Sequence, residues 1–307
     1  MGKTAILFPG QGAQHVGMGL DVAQAFPAAA AVYGQANELL GIDLARLCFE
    51  GPADRLDATD LSQPAIFVTS VAIWRALEAN GAVERLAPAG TAGLSLGEYT
   101  ALWLAGSVSF ADGLRLVRRR GELMQAAAQA QSGGMVSVMG LAEQQLRQLC
   151  QQVGQMVLAN FNCPGQIVVS GPLEACGRLA ELVEQAGGAA LRLAVAGAFH
   201  SPLMQPAAEG LRAVLTETAF HAPKIPVPAN VDGQYHDGPE AVRQALQAQV
   251  VRPVLWQRCV ERLMADGFDR FVEVGPGRVL TGLMRRINRT ATVLNISTAE
   301  AVRKAAT

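Results

Sequence analysis

No C-x-x-C pair occurs in this chain, no Gly-Lys-Ser/Thr closing its glycine-rich loop, no apolar stretch near 18 residues, and no excess of charge of either sign. Each absence removes a class of function. Lys plus Arg number 25 against 26 Asp plus Glu, so nothing in the charge balance points to nucleic acid or to an anionic membrane surface. The five cysteines (Cys48, Cys150, Cys163, Cys176, Cys259) are odd in number and scattered, which indicates neither a disulfide framework nor a zinc site. A reducing cytoplasm fits them. The opening Thr4-Ala5-Ile6-Leu7-Phe8 is too short for a signal-peptide core, and without a membrane-length apolar run the protein reads as soluble. No internal repeat or low-complexity linker divides the 307 residues. Half of them are hydrophobic, enough for one large domain carrying an insertion, or for two domains.

What is present centres on Gly93-Leu94-Ser95-Leu96-Gly97-Glu98. Small residues precede this Gly-x-Ser-x-Gly (Ala89, Gly90, Thr91, Ala92) and helix formers follow it (Tyr99, Ala101, Leu102, Leu104, Ala105). A nucleophile elbow requires that setting: a strand turns sharply into a helix, and bulk near the turn would block it. The serine hydroxyl then sits beside a helix N-terminus whose unpaired N–H groups can receive an oxyanion. A plain Gly/Ser turn fits the pentapeptide equally well, so the reading depends on what else the chain supplies.

Thr4–Phe8 is a buried strand leading into Pro9-Gly10-Gln11-Gly12-Ala13-Gln14. A Walker loop would need Gly-Lys-Ser/Thr, and a dinucleotide fingerprint would need glycine where His15 stands, so both nucleotide readings fail. Ser62-Gln63-Pro64 reads as a helix start, with a capping serine and a first-turn proline, and Gln63 lies at its mouth. A helix over Asp112–Ala130 carries Arg115, Arg118, Arg119 and Arg120; such a run is ordinarily a solvated face, from which one arginine can still turn inward. From Gly133 the pattern becomes strand (135–139), helix (142–152), two strands (156–160 and 166–170), helix (172–186) and strand (191–195). That βαββαβ order is ferredoxin-like. It places a small subdomain at 131–196 within a larger unit formed by 1–130 and 197–307, with a cleft between them suited to a small molecule. Strand 268–274, then Gly275-Pro276-Gly277 and a helix from Val279, repeats the strand, glycine loop, helix unit and implies a parallel sheet. The fold class expected is therefore α/β, an α/β-hydrolase-like parallel-sheet domain with an inserted ferredoxin-like subdomain. Of four histidines, His15, His221 and His236 fall in polar loops and read as solvated. His200 lies at the junction where the chain re-enters the larger unit, and is the candidate base for a nucleophilic serine.

Together these stretches resemble the malonyl-CoA:acyl-carrier-protein transacylase family. The resemblance runs from Phe8-Pro9-Gly10-Gln11-Gly12 through Gln63-Pro64, the elbow, Arg120-Gly121 with Met124-Gln125, Asn160-Phe161-Asn162 with Pro164-Gly165-Gln166, Ala198-Phe199-His200-Ser201, and Gln249 with Pro253-Val254 and Trp256, to Glu273-Val274-Gly275-Pro276-Gly277. Each piece is weak alone, whereas their order and spacing are specific. The resemblance implies Ser95 as nucleophile, His200 as general base, and a carbonyl near Gln249, not a carboxylate, orienting the histidine. It further implies an oxyanion hole at Gln11 and the Leu96 N–H, Arg120 against the free carboxylate of malonyl, and Phe199, Gln63, Asn160 and Gln166 around the substrate. Bulk at Phe199 would crowd a methyl on the substrate's second carbon, worth roughly 1 to 3 kcal/mol. Malonyl-CoA, a coenzyme A thioester, and phosphopantetheinylated acyl carrier protein are the implied substrates. No metal or bound cofactor is implied, no nucleic acid or membrane partner, and a monomer is expected. A serine thioesterase or other hydrolase, the transacylase subunit of a malonate decarboxylase, and a non-catalytic carrier-docking subunit share parts of the pattern. One departure stands out: Leu94 occupies a position where most of the family has histidine, which bears on pocket tuning and not on the nucleophile.

Overall fold

The structure is a computed structural model and describes residues 2–307. Two sheets organise it. The first is parallel, with strand order β2-β1-β7-β8: β1 (Lys3–Phe8), β2 (Pro88–Gly93), β7 (Phe268–Val274) and β8 (Thr292–Ile296). Its centre is β1, where Ala5 to Phe8 are fully buried, as expected of a strand covered on both faces. The second sheet is antiparallel, with order β4-β5-β3-β6: β3 (Gly133–Met139), β4 (Val157–Cys163), β5 (Gln166–Pro172) and β6 (Ala189–Arg192). Helices Glu143–Val153 and Leu173–Gln185 connect β3 to β4 and β5 to β6, so each pair forms a split βαβ unit, the ferredoxin-like arrangement. This sheet has its own apolar cluster, including Val136, Leu146, Val169, Leu179 and Val183. The last strand sits two residues earlier than its hydrophobic pattern suggests, at 189–192 instead of 191–195.

The largest departure from the sequence reading is the helix containing Gln63. It runs from Thr59 to Ala79, with Pro64 inside it and without a side-chain cap from its N-cap residue Ala58. Ser62 is therefore not its cap. Two contacts from the helix Phe110–Ala130 explain the longer span. Gln125 Oε1 accepts from the Thr59 N–H at 3.1 Å, satisfying an end donor. Arg118 Nη1 donates to the Asp60 carbonyl at 3.1 Å, the acceptor that Pro64 cannot use because it lacks an N–H. These two 21-residue helices pack so closely that a Cβ on Gly121 would fall 2.6 Å from the Thr59 carbonyl oxygen. Glycine is the residue that admits this approach, and it sets the level at which the neighbouring Arg120 enters the interior.

No helix is long and apolar enough to cross a membrane among the described residues. All five cysteines are free and buried.

Candidate active site

β2 ends at Gly93, and the helix Gly97–Leu104 begins four residues on. Between them Ser95 adopts φ 51°, a left-handed conformation uncommon for a residue with a side chain. The flanking glycines are sterically required. A Cβ on Gly93 would lie 1.9 Å from the Gly97 carbonyl, and one on Gly97 would lie 2.1 Å from the Phe8 carbonyl oxygen. The turn thus wedges between β1 and its own helix, leaving the serine side chain at the sheet's carboxyl end. This is a nucleophile elbow in geometry as well as in sequence.

His200, also at positive φ (57°), lies in the loop after β6 and meets the serine across the chain: Ser95 Oγ and His200 Nε2 are 2.9 Å apart. Its other nitrogen, Nδ1, donates to the backbone carbonyl of Gln249 at 2.7 Å, at the end of the helix Pro239–Gln249. The tautomer so fixed leaves Nε2 free to accept the serine proton. Burial and then the nearby Arg120 charge push the His200 pKa down to about 4, against a smaller opposite effect of the Gln249 carbonyl. The imidazole is consequently neutral at physiological pH, as a base must be.

Arg120 turns inward from its helix while Arg115 and Arg119 pair at the surface with Asp112 and Glu122, and Arg118 is held by Glu122 and Asp60. It is 1% exposed. Its Nη2 donates to Ser95 Oγ at 3.0 Å and to Gln249 Oε1 at 2.9 Å, and Nη1 donates to Gln63 Oε1 at 2.8 Å. All of these acceptors are uncharged, and Nε has no partner. Burial lowers the Arg120 pKa from its ordinary value, with Tyr99 and Glu98 acting in the opposite sense. A buried guanidinium with no ion-pair partner among the described residues is expensive unless an anion completes it.

The remaining candidates divide. Gln63 is fully buried and touches Arg120, Met124 and, at 3.5 Å, Gln11. Gln11, in the loop after β1, also reaches Thr59 Oγ1 at 3.4 Å. The Leu96 N–H enters no hydrogen bond among the described residues, leaving it available at the helix start. Phe199 is buried in the main apolar cluster directly before His200. Asn160 lies where β4 meets Val254 of the larger unit. Gln166 bonds Ser137 through its side chain at 3.2 Å and accepts from Arg286 at 3.2 Å, tying the small sheet to the helix Val279–Ile287. A cavity of about 560 Å³ separates the small sheet from the larger unit, lined by Met156, Val157 and Leu158 on one side and by His200, Pro202, Val251 and Pro253 on the other. It reaches His200 without including Ser95.

A model of the acyl transferase domain matches residues 6–305. The chain belongs to this acyltransferase family. A malonyl CoA-acyl carrier protein transacylase of Escherichia coli strain K12 is 42% identical over 301 residues, covering 96% of each chain. Among solved structures, an acyl-carrier-protein-S-malonyltransferase from Bartonella henselae has a TM-score of 0.94 at 40% identity, covering 99% of this chain and 98% of that one. A malonyl-transacylase solved in complex with a type II PKS acyl-carrier protein likewise has a TM-score of 0.94 at 40% identity, with 99% and 98% covered.

Sequence reading missed one layer of the site. His236, taken as a solvated loop residue, is buried, with Nε2 2.9 Å from Glu98 Oε1. Glu98 is itself fully buried beneath the elbow, and Asn230 is likewise buried, its Oδ1 accepting from the Ser95 N–H at 2.7 Å. Only Glu98 had a local signal, a carboxylate immediately after the elbow glycine. His236 and Asn230 reach it from more than 130 residues away.

Proposed function

We propose that the protein transfers malonyl from malonyl-CoA to the phosphopantetheine thiol of an acyl carrier protein through a malonyl ester on Ser95. His200 Nε2 takes the Ser95 proton as Oγ bonds to the thioester carbonyl carbon. The resulting oxyanion is received by the Leu96 N–H and Gln11, a placement in which one donor is typically worth about a hundred- to a thousand-fold in rate. The carbon–sulfur bond then breaks, and coenzyme A leaves with the proton from His200. In the second half the carrier thiol gives its proton to His200, its sulfur attacks the ester, and Ser95 regains a proton as malonyl departs. Side chains and backbone alone perform these steps, so the proposal requires no metal or bound cofactor. The five buried free thiols suit a reducing cytoplasm.

The observation that carries the malonyl assignment is Arg120: buried, without an anionic partner among the described residues, and 3.0 Å from the Ser95 hydroxyl. A substrate carboxylate two carbons from the reacting carbonyl supplies the missing charge. A buried charged hydrogen bond contributes on the order of 1.5 to 3 kcal/mol, or about ten- to a hundred-fold in favour of malonyl over acetyl. A simple esterase has no use for such a cation beside its serine. The test compares transfer of malonyl and acetyl from their CoA thioesters to holo carrier protein by wild type and Arg120→Ala. A collapse of the malonyl preference by that factor, with acetyl transfer retained, is expected; an unchanged preference would remove the carboxylate-binding role.

A further inference from the structure

We infer that Glu98 is a positioning residue that acts through Gln249, fixing the side chain that holds Arg120 at the nucleophile. The inference rests on the malonyl-transfer reading above. Gln249 is the common point of the site. Its backbone carbonyl accepts from His200, its Oε1 accepts from Arg120, and its Nε2 donates to the Ser95 carbonyl at 2.9 Å and to Asn230 Oδ1 at 3.3 Å. A glutamine amide can be seated either way round, and the two seatings are opposite in meaning here. With oxygen toward Arg120 the guanidinium gains an acceptor, and with nitrogen there it meets a donor. Something must choose.

The Ser95 carbonyl favours nitrogen on its side, and Glu98 adds the charged acceptor that decides the choice. Its Oε2 receives Gln249 Nε2 at 2.6 Å and the Asn230 N–H at 3.2 Å, and its Oε1 lies 2.9 Å from His236 Nε2. A carboxylate offers only acceptors. Facing it, Gln249 must present nitrogen, and its oxygen is thereby aimed at Arg120. Glu98 follows the elbow glycine by one residue, so the same turn that exposes Ser95 places this acceptor beneath it. Asn230 closes the ring, donating from Nδ2 to the Gly93 carbonyl at 2.9 Å while its Oδ1 takes the Ser95 N–H. His236 holds the far oxygen and keeps the carboxylate from rotating. None of Glu98, His236 or Asn230 donates to or accepts from the Ser95 hydroxyl, so their effect on chemistry is exerted through Gln249 and the elbow backbone.

Orientation and charge can be separated by two conservative variants. In Glu98→Gln the amide oxygen can take the place of Oε2, still accepting from Gln249 and Asn230. The amide nitrogen then faces His236 Nε2, which accepts in its Nδ1–H tautomer. Geometry is retained and charge is lost. In Glu98→Asp the charge is retained, but the oxygens withdraw by one methylene from Gln249. The measurement is the ratio of malonyl to acetyl transfer to holo carrier protein, a ratio that partial unfolding cannot change because both substrates meet the same enzyme. Wild-type acylation by malonyl-CoA in the same assay tests the underlying reading separately. The expected result is a fall of about tenfold in Glu98→Asp, the lower range for a hydrogen bond to a charged group, and a ratio within about threefold of wild type in Glu98→Gln. A fall in Glu98→Gln with Glu98→Asp retained would make the charge decisive and overturn the inference. An unchanged ratio in both variants would reduce Glu98 to a structural role. Should Glu98→Asp yield no folded protein, Gln249→Leu, which keeps the backbone carbonyl for His200, must show the same tenfold fall; an unchanged ratio there overturns the inference equally.

Discussion

The two faces of the elbow each hold a buried histidine, and the two are partnered in opposite ways. On the front, His200 has the serine hydroxyl on one nitrogen and a backbone carbonyl on the other, with a cation nearby. On the back, His236 meets a buried carboxylate. The difference follows from what each ring is asked to do. A ring that is to take a proton from serine must be neutral beforehand, and burial and then the Arg120 charge hold His200 in that form. A histidine that must hold a carboxylate still is better placed directly against it. The acidic group that a Ser-His-Asp arrangement would put behind the base is here behind the elbow, three residues after the nucleophile.

Removing each ring is the strongest way to break this comparison. His200→Ala is expected to lower malonyl transfer on the order of 10⁴-fold, since the serine loses its only base, whereas His236→Leu is expected to lower it about tenfold by loosening a positioning contact. Steady-state rates with malonyl-CoA and holo carrier protein measure both, and equal losses would erase the distinction between the two faces.

Acid titration sharpens the front face. A neutral serine-reactive phosphonylating reagent avoids ionisation of the substrate, and its rate with wild type should stay level as pH falls and decline only toward about 4, where the imidazole protonates. In Arg120→Met the decline should begin at higher pH, because a charge that lowers the His200 pKa is gone. An unshifted limb would mean that Arg120 does not act on the base. The same depression bears on stability. The unfolded chain binds a proton at His200 near the ordinary 6.5 and the folded chain only near 4, so this group makes the fold less stable as pH falls through that window and has no effect above it.

Smaller effects test how Arg120 is seated. Gly121→Ala places a methyl 2.6 Å from the Thr59 carbonyl and should cost about 1 to 3 kcal/mol in denaturant unfolding, the range for overpacking. Its malonyl preference should weaken as the helix carrying Arg120 is pushed outward. Arg119→Ala, one residue from the critical position but half exposed and paired with Glu122, should change stability by less than about 1 kcal/mol and leave selectivity intact.

The pattern of what the sequence disclosed has a physical basis. The elbow, the strand at 268–274 and the βαββαβ lobe rest on local features, namely small residues at a forced turn and hydrophobic periodicity, and these are complete within a dozen residues. Arg120 could not be separated from Arg118 and Arg119 by periodicity, and only the resemblance singled it out. The structural mark beside it is Gly121, whose missing side chain lets its helix approach Thr59 and Asp60 of the neighbouring one. Ser62-Gln63-Pro64 misled because a proline ordinarily marks a first turn. Here Arg118 and Gln125, some 60 residues away, take over the backbone groups at that end of the helix. The Glu98, His236 and Asn230 layer was invisible for the same reason on a larger scale: its polarity is satisfied only by partners distant in sequence. Gln166 was legible as part of a motif, but its bonds to Ser137 and Arg286, distant in sequence, were not.

The central claim is that Ser95 carries the acyl group between two thiols. Intact mass spectrometry after brief mixing with malonyl-CoA, on wild type and Ser95→Ala, tests it most directly. A malonyl-sized increment on wild type alone, discharged when holo carrier protein is added, is the predicted result. Free malonate accumulating with no increment, or an increment that persists in Ser95→Ala, would contradict it.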